Sequence, residues 1–312
     1  GKNVDVCSIK GNFDDAQSGV KNIFTDNELK ARLNASGMEF SSANSINWGR
    51  LVPQIVYYVS AYCDLLNMGE SLDDGFNVVV PTGNFGNILA AFYAKCMGVP
   101  IAKLVCASNA NNVLTDFINT GVYDRNRRFY TTVSPSMDIL ISSNLERMVY
   151  HLCGNDSEKT AELQRELAET GRYTLDAELL KKLKELYFGG CCDDSETLKT
   201  IKKVYDGKKY LSDTHTAVAL NVTDKYTAET NDGRVTVIAS TASPYKFSAS
   251  VLKAVAPEMC SDAEFEMVEH LSSITGTNVP APISALKNAV PRFENVCEKQ
   301  DMADVVLKVL GI

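Results

Sequence analysis

The sequence predicts an α/β protein, a parallel sheet covered by helices, with a mainly helical stretch set into it. Three observations carry this reading. Short apolar runs alternate with helical periods through the first third of the chain, and such alternation favours a parallel sheet with helices on its faces. From Asn144 onward the sequence turns polar and helical, with few strand signals. A strand signal followed by a helix returns after residue 233. The expected division is 1–143 for an α/β portion, 144–232 for a mainly helical subdomain or insertion, and 233–312 for a return to the α/β core.

The elements follow in order. Val4 to Ile9 is a short apolar run, read as a strand. It runs into Lys10-Gly11-Asn12-Phe13-Asp14-Asp15, where an aspartate is placed to cap a helix carrying Ala16, Val20 and Ile23 on one face. A short helix from Asn27 to Leu33 follows, and Met38 to Ser42 reads as a second strand. Trp48 to Met68 reads as one long helix, with Leu51, Ile55, Val59 and Tyr62 at three- and four-residue spacing and Pro53 near its start. Asn77 to Val80 is a third strand, Ile88 to Met97 a helix, and Ala102 to Ala107 a fourth strand. Glu158 to Glu169 and Asp176 to Leu186 are helices with solvated charged faces. Val235 to Ala239 is a strand, followed by helices over Phe247 to Val255 and Ala303 to Leu310.

The 312 residues are enough to bury a sizeable core. The net charge of -8 argues against sequence-independent nucleic-acid binding, which needs a basic surface. No apolar run reaches the roughly 18–20 residues of a membrane span, and the N-terminus has no charged-then-apolar signal pattern. The expected location is the cytoplasm. The nine cysteines are irregularly spaced and contain no C-x-x-C pair, and there are three histidines, so no metal site is expected. Reduced, buried thiols are expected instead, with Cys191-Cys192 beside Gly189-Gly190 in a turn.

The strongest chemical signal is Val78-Val79-Val80-Pro81-Thr82-Gly83-Asn84-Phe85-Gly86-Asn87-Ile88. A buried strand enters a loop with two glycines and then a helix. Glycine lets the backbone approach a ligand closely, and free N–H groups at a helix start favour a phosphate. The pattern is neither G-x-G-x-x-G nor a P-loop. A tight turn whose glycines serve only geometry stays open beside the phosphate reading. Asn44-Ser45-Ile46-Asn47-Trp48-Gly49-Arg50 gathers several donors at a helix start, and arginine suits phosphate or carboxylate. The alternative is a capping cluster, with Asn47 as cap and Arg50 on the surface. Ser240-Thr241-Ala242-Ser243-Pro244 places hydroxyls at a strand end, as caps or as ligand contacts. Ser134 to Ile139 and Ser142 to Arg147 are dense in small polar residues. His215 follows Asp213-Thr214 without an assignable Ser or Cys partner.

These residues together resemble a known family. Gly11-Asn12-Phe13-Asp14-Asp15-Ala16-Gln17, Asn44 to Trp48, Pro81 to Asn87, Ser134 to Ile139 and Ser240 to Phe247 occur in the order seen in threonine synthases. Those are pyridoxal-phosphate (PLP) enzymes of the tryptophan-synthase-β type. The resemblance spans essentially the whole chain and implies a three-layer, parallel-sheet fold. It implies that Gly83, Asn84, Phe85, Gly86 and Asn87 cradle the phosphate of PLP and that Thr241 bonds the pyridine nitrogen. It further implies that Asn44, Ser45, Asn47 and Arg50 hold the substrate, O-phospho-L-homoserine, which loses phosphate from Cγ and gains water at Cβ to give L-threonine. His215 lies in a motif of the family, with no role implied.

The chain departs from the family in one important respect. PLP chemistry needs a lysine for the Schiff base, and the family carries it in a Ser-Phe-Lys-Asp-like motif upstream of Gly-Asn-Phe-Asp-Asp. No such motif occurs here, and Lys246 belongs to the C-terminal motif instead. No catalytic residue is therefore assigned within the chain. The expectation is a C-terminal portion whose partner is an N-terminal segment bearing the lysine. A start at Gly1 without methionine fits that expectation. Gly49 for a common alanine and Ser243 for a usual histidine are smaller departures.

Overall fold

The computed structural model describes residues 3–11, 13–43 and 46–312. Its strands in chain order are β1 Cys7–Ile9, β2 Phe76–Pro81, β3 Ile101–Ser108, β4 Val122–Asp124, β5 Arg172–Thr174, β6 Tyr187–Cys191, β7 Thr236–Ile238 and β8 Asn295–Cys297. Four of them form the central sheet in the order β6-β3-β2-β7, and every pairing in it is parallel. The two faces are both covered. Val78, Val80, Leu104 and Cys106 pack with Leu89 and Phe117 from the helices Gly86–Cys96 and Val113–Thr120. Val79, Val105 and Ala107 pack with Val218, Ala219 and Val222 from the helix Thr214–Thr230. Alternate residues of one strand thus serve opposite layers, which explains the unbroken apolar run in β2. The predicted three-layer α/β architecture is the observed one.

Several expectations are corrected. Met38 to Ser42 forms no strand. Met38 and Phe40 instead pack on Ile23, Leu29 and Leu33, so their apolar alternation is satisfied by helices. β1 does not join the central sheet; it pairs in parallel with β8, tying the two ends of the chain together. The first helix begins at Phe13, so Asp15 lies within its first turn and not ahead of it. The long helix is broken, with Trp48–Leu51 and Ile55–Asn67 separated by a 3-10 turn at Val52–Gln54, because Pro53 supplies no N–H. Its inward stripe contains Tyr58, which is buried, and not Val59, which is exposed.

The stretch from Asn144 is mostly helical, yet it supplies β6 to the edge of the central sheet. In place of the turn expected at Cys191-Cys192 beside Gly189-Gly190, this strand runs through both glycines to Cys191. Its glycines hid it, since they show no periodicity. A Cβ at Gly190 would lie 2.7 Å from the Val222 side chain, and one at Gly189 3.1 Å from the Thr115 backbone. The missing side chains let helices on both faces close onto the strand.

Candidate functional site

All four central strands point their carboxyl ends the same way, and ligands of parallel sheets bind outside those ends. β2 leads there into Thr82-Gly83-Asn84-Phe85, and the helix Gly86–Cys96 begins at once. That helix has no side-chain cap. The first backbone bond across its start runs from the Leu89 N–H to the Phe85 carbonyl, at 3.1 Å. The N–H groups ahead of Leu89 are therefore the orphan donors of a helix start, aimed at a ligand or solvent.

The loop is held in a costly shape. Phe85 adopts φ +61, a left-handed conformation that costs a bulky residue on the order of 1–3 kcal/mol. Its fully buried ring, 5.6 Å from that of Tyr187, offsets the cost. A Cβ on Gly83 would lie 3.0 Å from the Ser136 carbonyl oxygen, so only glycine fits there without displacement. The Ser142 hydroxyl donates to the Gly83 carbonyl at 2.8 Å and the Ser143 hydroxyl to Asn84 Oδ1 at 3.2 Å. The Asn144 N–H and side-chain amide both donate to the Asn84 carbonyl, at 3.1 and 3.0 Å. The small polar cluster at Ser142 to Asn144 is thus a brace for the glycine loop.

The loop, from Gly83 to Asn87, lines a cavity of 260 Å³ together with Thr241 and Lys246. An adjoining cavity of 740 Å³ is lined by Arg50, Tyr57 and Ser240. The two share Gln54, Asn87 and Thr241, so the glycine loop and Arg50 face adjoining cavities. Thr241 and Arg50 are exposed to it. Sequence reasoning missed Gln54 and Tyr58. The buried Tyr58 hydroxyl donates to Asn87 Oδ1, which leaves the amide N–H groups of Asn87 for the cavity junction. Burial raises the Tyr58 pKa and keeps that hydroxyl protonated. The signal was present in the sequence: Tyr58 completes a seven-residue spacing between Leu51 and Leu65.

The other predicted residues divide. Asn44 and Ser45 lie outside the described residues. Asn47 caps its helix, accepting from the Gly49 N–H at 2.8 Å and donating to the Ser42 carbonyl at 2.8 Å, so its carboxamide is engaged at both ends. Ser243 caps the 3-10 turn Pro244–Phe247. His215 is buried, and its Nε2 accepts the Ser136 N–H at 3.1 Å. A backbone N–H can only donate, so the ring proton sits on Nδ1, 3.3 Å from Asp213 Oδ1. Burial pushes the Asp213 carboxyl up, but bonds from His215 and Thr216 outweigh it and hold it below the usual value. His215 therefore fixes Ser136, whose carbonyl is the floor under Gly83. Asp138, in the same segment, accepts from Asn109 and Asn111 at 2.7 and 2.9 Å, which pins the segment to the end of β3. No group of three or more His, Cys, Asp or Glu that could hold a metal occurs among the described residues. Likewise no described helix is long and apolar enough to cross a membrane.

Comparison with known proteins adds the following. Residues 216–305 match the family model described as threonine synthase, C-terminal. The human protein Threonine synthase-like 1 is 44% identical over 250 residues, covering 79% of this chain and 33% of that protein. The threonine synthase of Saccharomyces cerevisiae is 37% identical over 268 residues, covering 81% of this chain and 51% of that one. The solved structure of a PLP-bound threonine synthase from Brucella melitensis superposes with a TM-score of 0.79 at 33% identity, over 99% of this chain and 59% of the other. The yeast threonine synthase structure gives a TM-score of 0.80 at 32% identity, with the same coverage. The chain spans between a third and about half the length of the curated relatives it matches.

Proposed function

We propose, on the premise that this chain has a threonine synthase-like fold, that it forms the PLP-binding part of an enzyme converting O-phospho-L-homoserine and water to L-threonine and phosphate. The observation that carries this reading is the adjacency of two cavities. One is walled by uncapped N–H donors and the other by Arg50, and they meet at Asn87 and Thr241. Two phosphates, one of the cofactor and one of the substrate, need two such places side by side.

The residues present fit the cofactor. The Gly83 to Asn87 loop offers a closely packed, donor-rich cradle for the phosphate. Thr241, which lines the same cavity, would be the partner for the pyridine nitrogen. Its hydroxyl is neutral and would leave the ring a milder electron sink than a carboxylate would. When bound, the cofactor supplies the electron sink that loosens bonds at the carbon bearing the amino group. Arg50, with Gln54 donating to its carbonyl at 2.9 Å, would hold the phosphate of the substrate. The Schiff-base lysine would be supplied by polypeptide outside this chain, and the expected place of action is the cytoplasm.

A direct experiment separates this reading from its rivals. The intact protein is assayed with O-phospho-L-homoserine, serine and threonine, and the products are identified. Threonine and phosphate from the first substrate are expected. Turnover of serine or threonine alone would assign an amino-acid dehydratase on the same fold, and release of phosphate from O-phospho-L-homoserine without threonine would assign a threonine-synthase-like phosphatase. Binding of PLP without turnover of any of the three would assign a binding module. The chain by itself is expected to form no lysine adduct of PLP that borohydride fixes.

A further inference from the structure

The glycine-loop cavity contains a cation that none of the roles above uses. Lys246 lines it together with Gly83 to Asn87. No carboxylate lines the same cavity among the described residues. The Lys246 side chain is exposed, and its Nζ lies 5.4 Å from the centroid of the Phe247 ring. It has no ion-pair partner among the described residues. The Phe247 ring is in turn packed against His215, with centroids 4.6 Å apart, and His215 is locked to Asp213 and Ser136. The lysine thus springs from a rigid 3-10 turn whose neighbours already shape the loop floor. Apart from Lys246 itself and from His215, whose Nε2 is taken up by the Ser136 N–H, no described residue of the lining carries a titratable side chain.

The charge balance of the loop is incomplete without it. A phosphate monoester carries close to two negative charges near neutral pH. Orphan N–H donors and a helix dipole amount to about half a positive charge. In a chain of net charge -8, a full positive charge beside the loop would offset the charge that these donors leave unbalanced. Lys246 is the full cation that lines the cavity.

We propose that Lys246 is the charge partner of the phosphate monoester bound by the Gly83–Asn87 loop, and not an amine that condenses with the aldehyde. The inference rests on the PLP reading of the site. It gives the lysine of the C-terminal motif a binding role, distinct from that of the Schiff-base lysine.

The test uses this chain and isothermal titration with PLP and with pyridoxal, which lacks the phosphate. Wild-type protein binding PLP no more tightly than pyridoxal would remove the underlying reading. Given a wild-type preference for PLP, Lys246→Met should weaken PLP binding about tenfold or more, the scale of a charge-assisted bond, and change pyridoxal binding less than about twofold. Lys246→Arg should retain PLP binding within about threefold, since the charge stays. Equal losses for both ligands, or no loss for either, would overturn the proposal. A loss seen only for O-phospho-L-homoserine against homoserine would also overturn it, moving the lysine to the Arg50 side. So would a reduced pyridoxyl group mapped to Lys246 by peptide mass spectrometry after borohydride treatment. Thermal unfolding of each variant, expected within about 2 °C of wild type for an exposed side chain, controls for folding.

Discussion

The two ends of the central sheet differ in a way that cavity size hides. The larger hollow, of 910 Å³, lies at the amino end, around Lys103, Lys184, Glu229, Asp232 and Arg234. Its Asp232 and Lys103 are engaged by their neighbours. Asp232 accepts from the Tyr226 hydroxyl at 2.5 Å, the Asn77 amide at 3.0 Å and the Arg234 guanidinium at 2.9 Å. Lys103 donates to the Lys184 and Glu185 carbonyls, at 3.1 and 2.8 Å. At the carboxyl end the hollows are smaller, but the donors are left over: the helix start, the Asn87 amide and Arg50. Unspent hydrogen-bonding capacity, held rigidly, marks a ligand site better than volume does.

Substitutions at the two ends should therefore separate stability from ligand binding. The largest effect is expected at His215. His215→Leu removes the acceptor for the Ser136 N–H and one partner of the buried Asp213 carboxylate. Unfolding in urea should show a loss of about 3 kcal/mol, together with weaker PLP binding, because Ser136 no longer seats Gly83. A stability loss with unchanged PLP affinity would break the link between the histidine and the loop.

A smaller effect is expected at the amino end. Burial pushes the Asp232 carboxyl up, but hydrogen bonds from Tyr226, Arg234 and Asn77 outweigh it and hold the group at about 2, below its ordinary 3.8. The folded value lies below the unfolded one, so its stabilisation is complete above about pH 4 and fades as pH falls toward about 2. Asp232→Asn should cost about 1–2 kcal/mol at about pH 7, and the gap from wild type should close between about pH 4 and about pH 2 in urea unfolding. PLP affinity should change less than about twofold. A comparable loss of PLP binding would mean that the amino end is not a separate structural hub.

How far the sequence could be read follows the same line. The β2 strand, the glycine loop and its helix were legible because an apolar run, two glycines and a helical period sit consecutively within about 20 residues. Arg50 and Thr241 were legible as candidates, but their approach to Asn87 depends on a long-range fold and not on spacing. β6 was hidden by Gly189 and Gly190, whose meaning lies in how closely Thr115 and Val222 approach. Ser142 to Asn144 were visible as polar density, yet their brace on Gly83 and Asn84 spans about 60 residues of sequence. The Met38 to Ser42 strand failed because alternation records burial, and a helix cluster buries residues as well as a sheet does.

The smallest expected effect sharpens the carboxyl end itself. Tyr58 sits on the helix Ile55–Asn67, lines the Arg50 cavity and hydrogen-bonds Asn87 of the loop. Its hydroxyl donates to Asn87 Oδ1, which favours the orientation that leaves the carboxamide N–H groups for the cavity junction. Tyr58→Phe retains the buried ring and removes that restraint, and PLP affinity should fall about fivefold, the equivalent of one modest hydrogen bond. Asn87→Ala alone should lose more. The decisive measurement is the double variant. If Tyr58 acts through the amide, the Tyr58→Phe step should have no further effect once Asn87 is alanine, giving a coupling of about 1 kcal/mol in the cycle. Additive losses would show that the tyrosine acts through packing, and the orientation of Asn87 would then be set by the helix start alone.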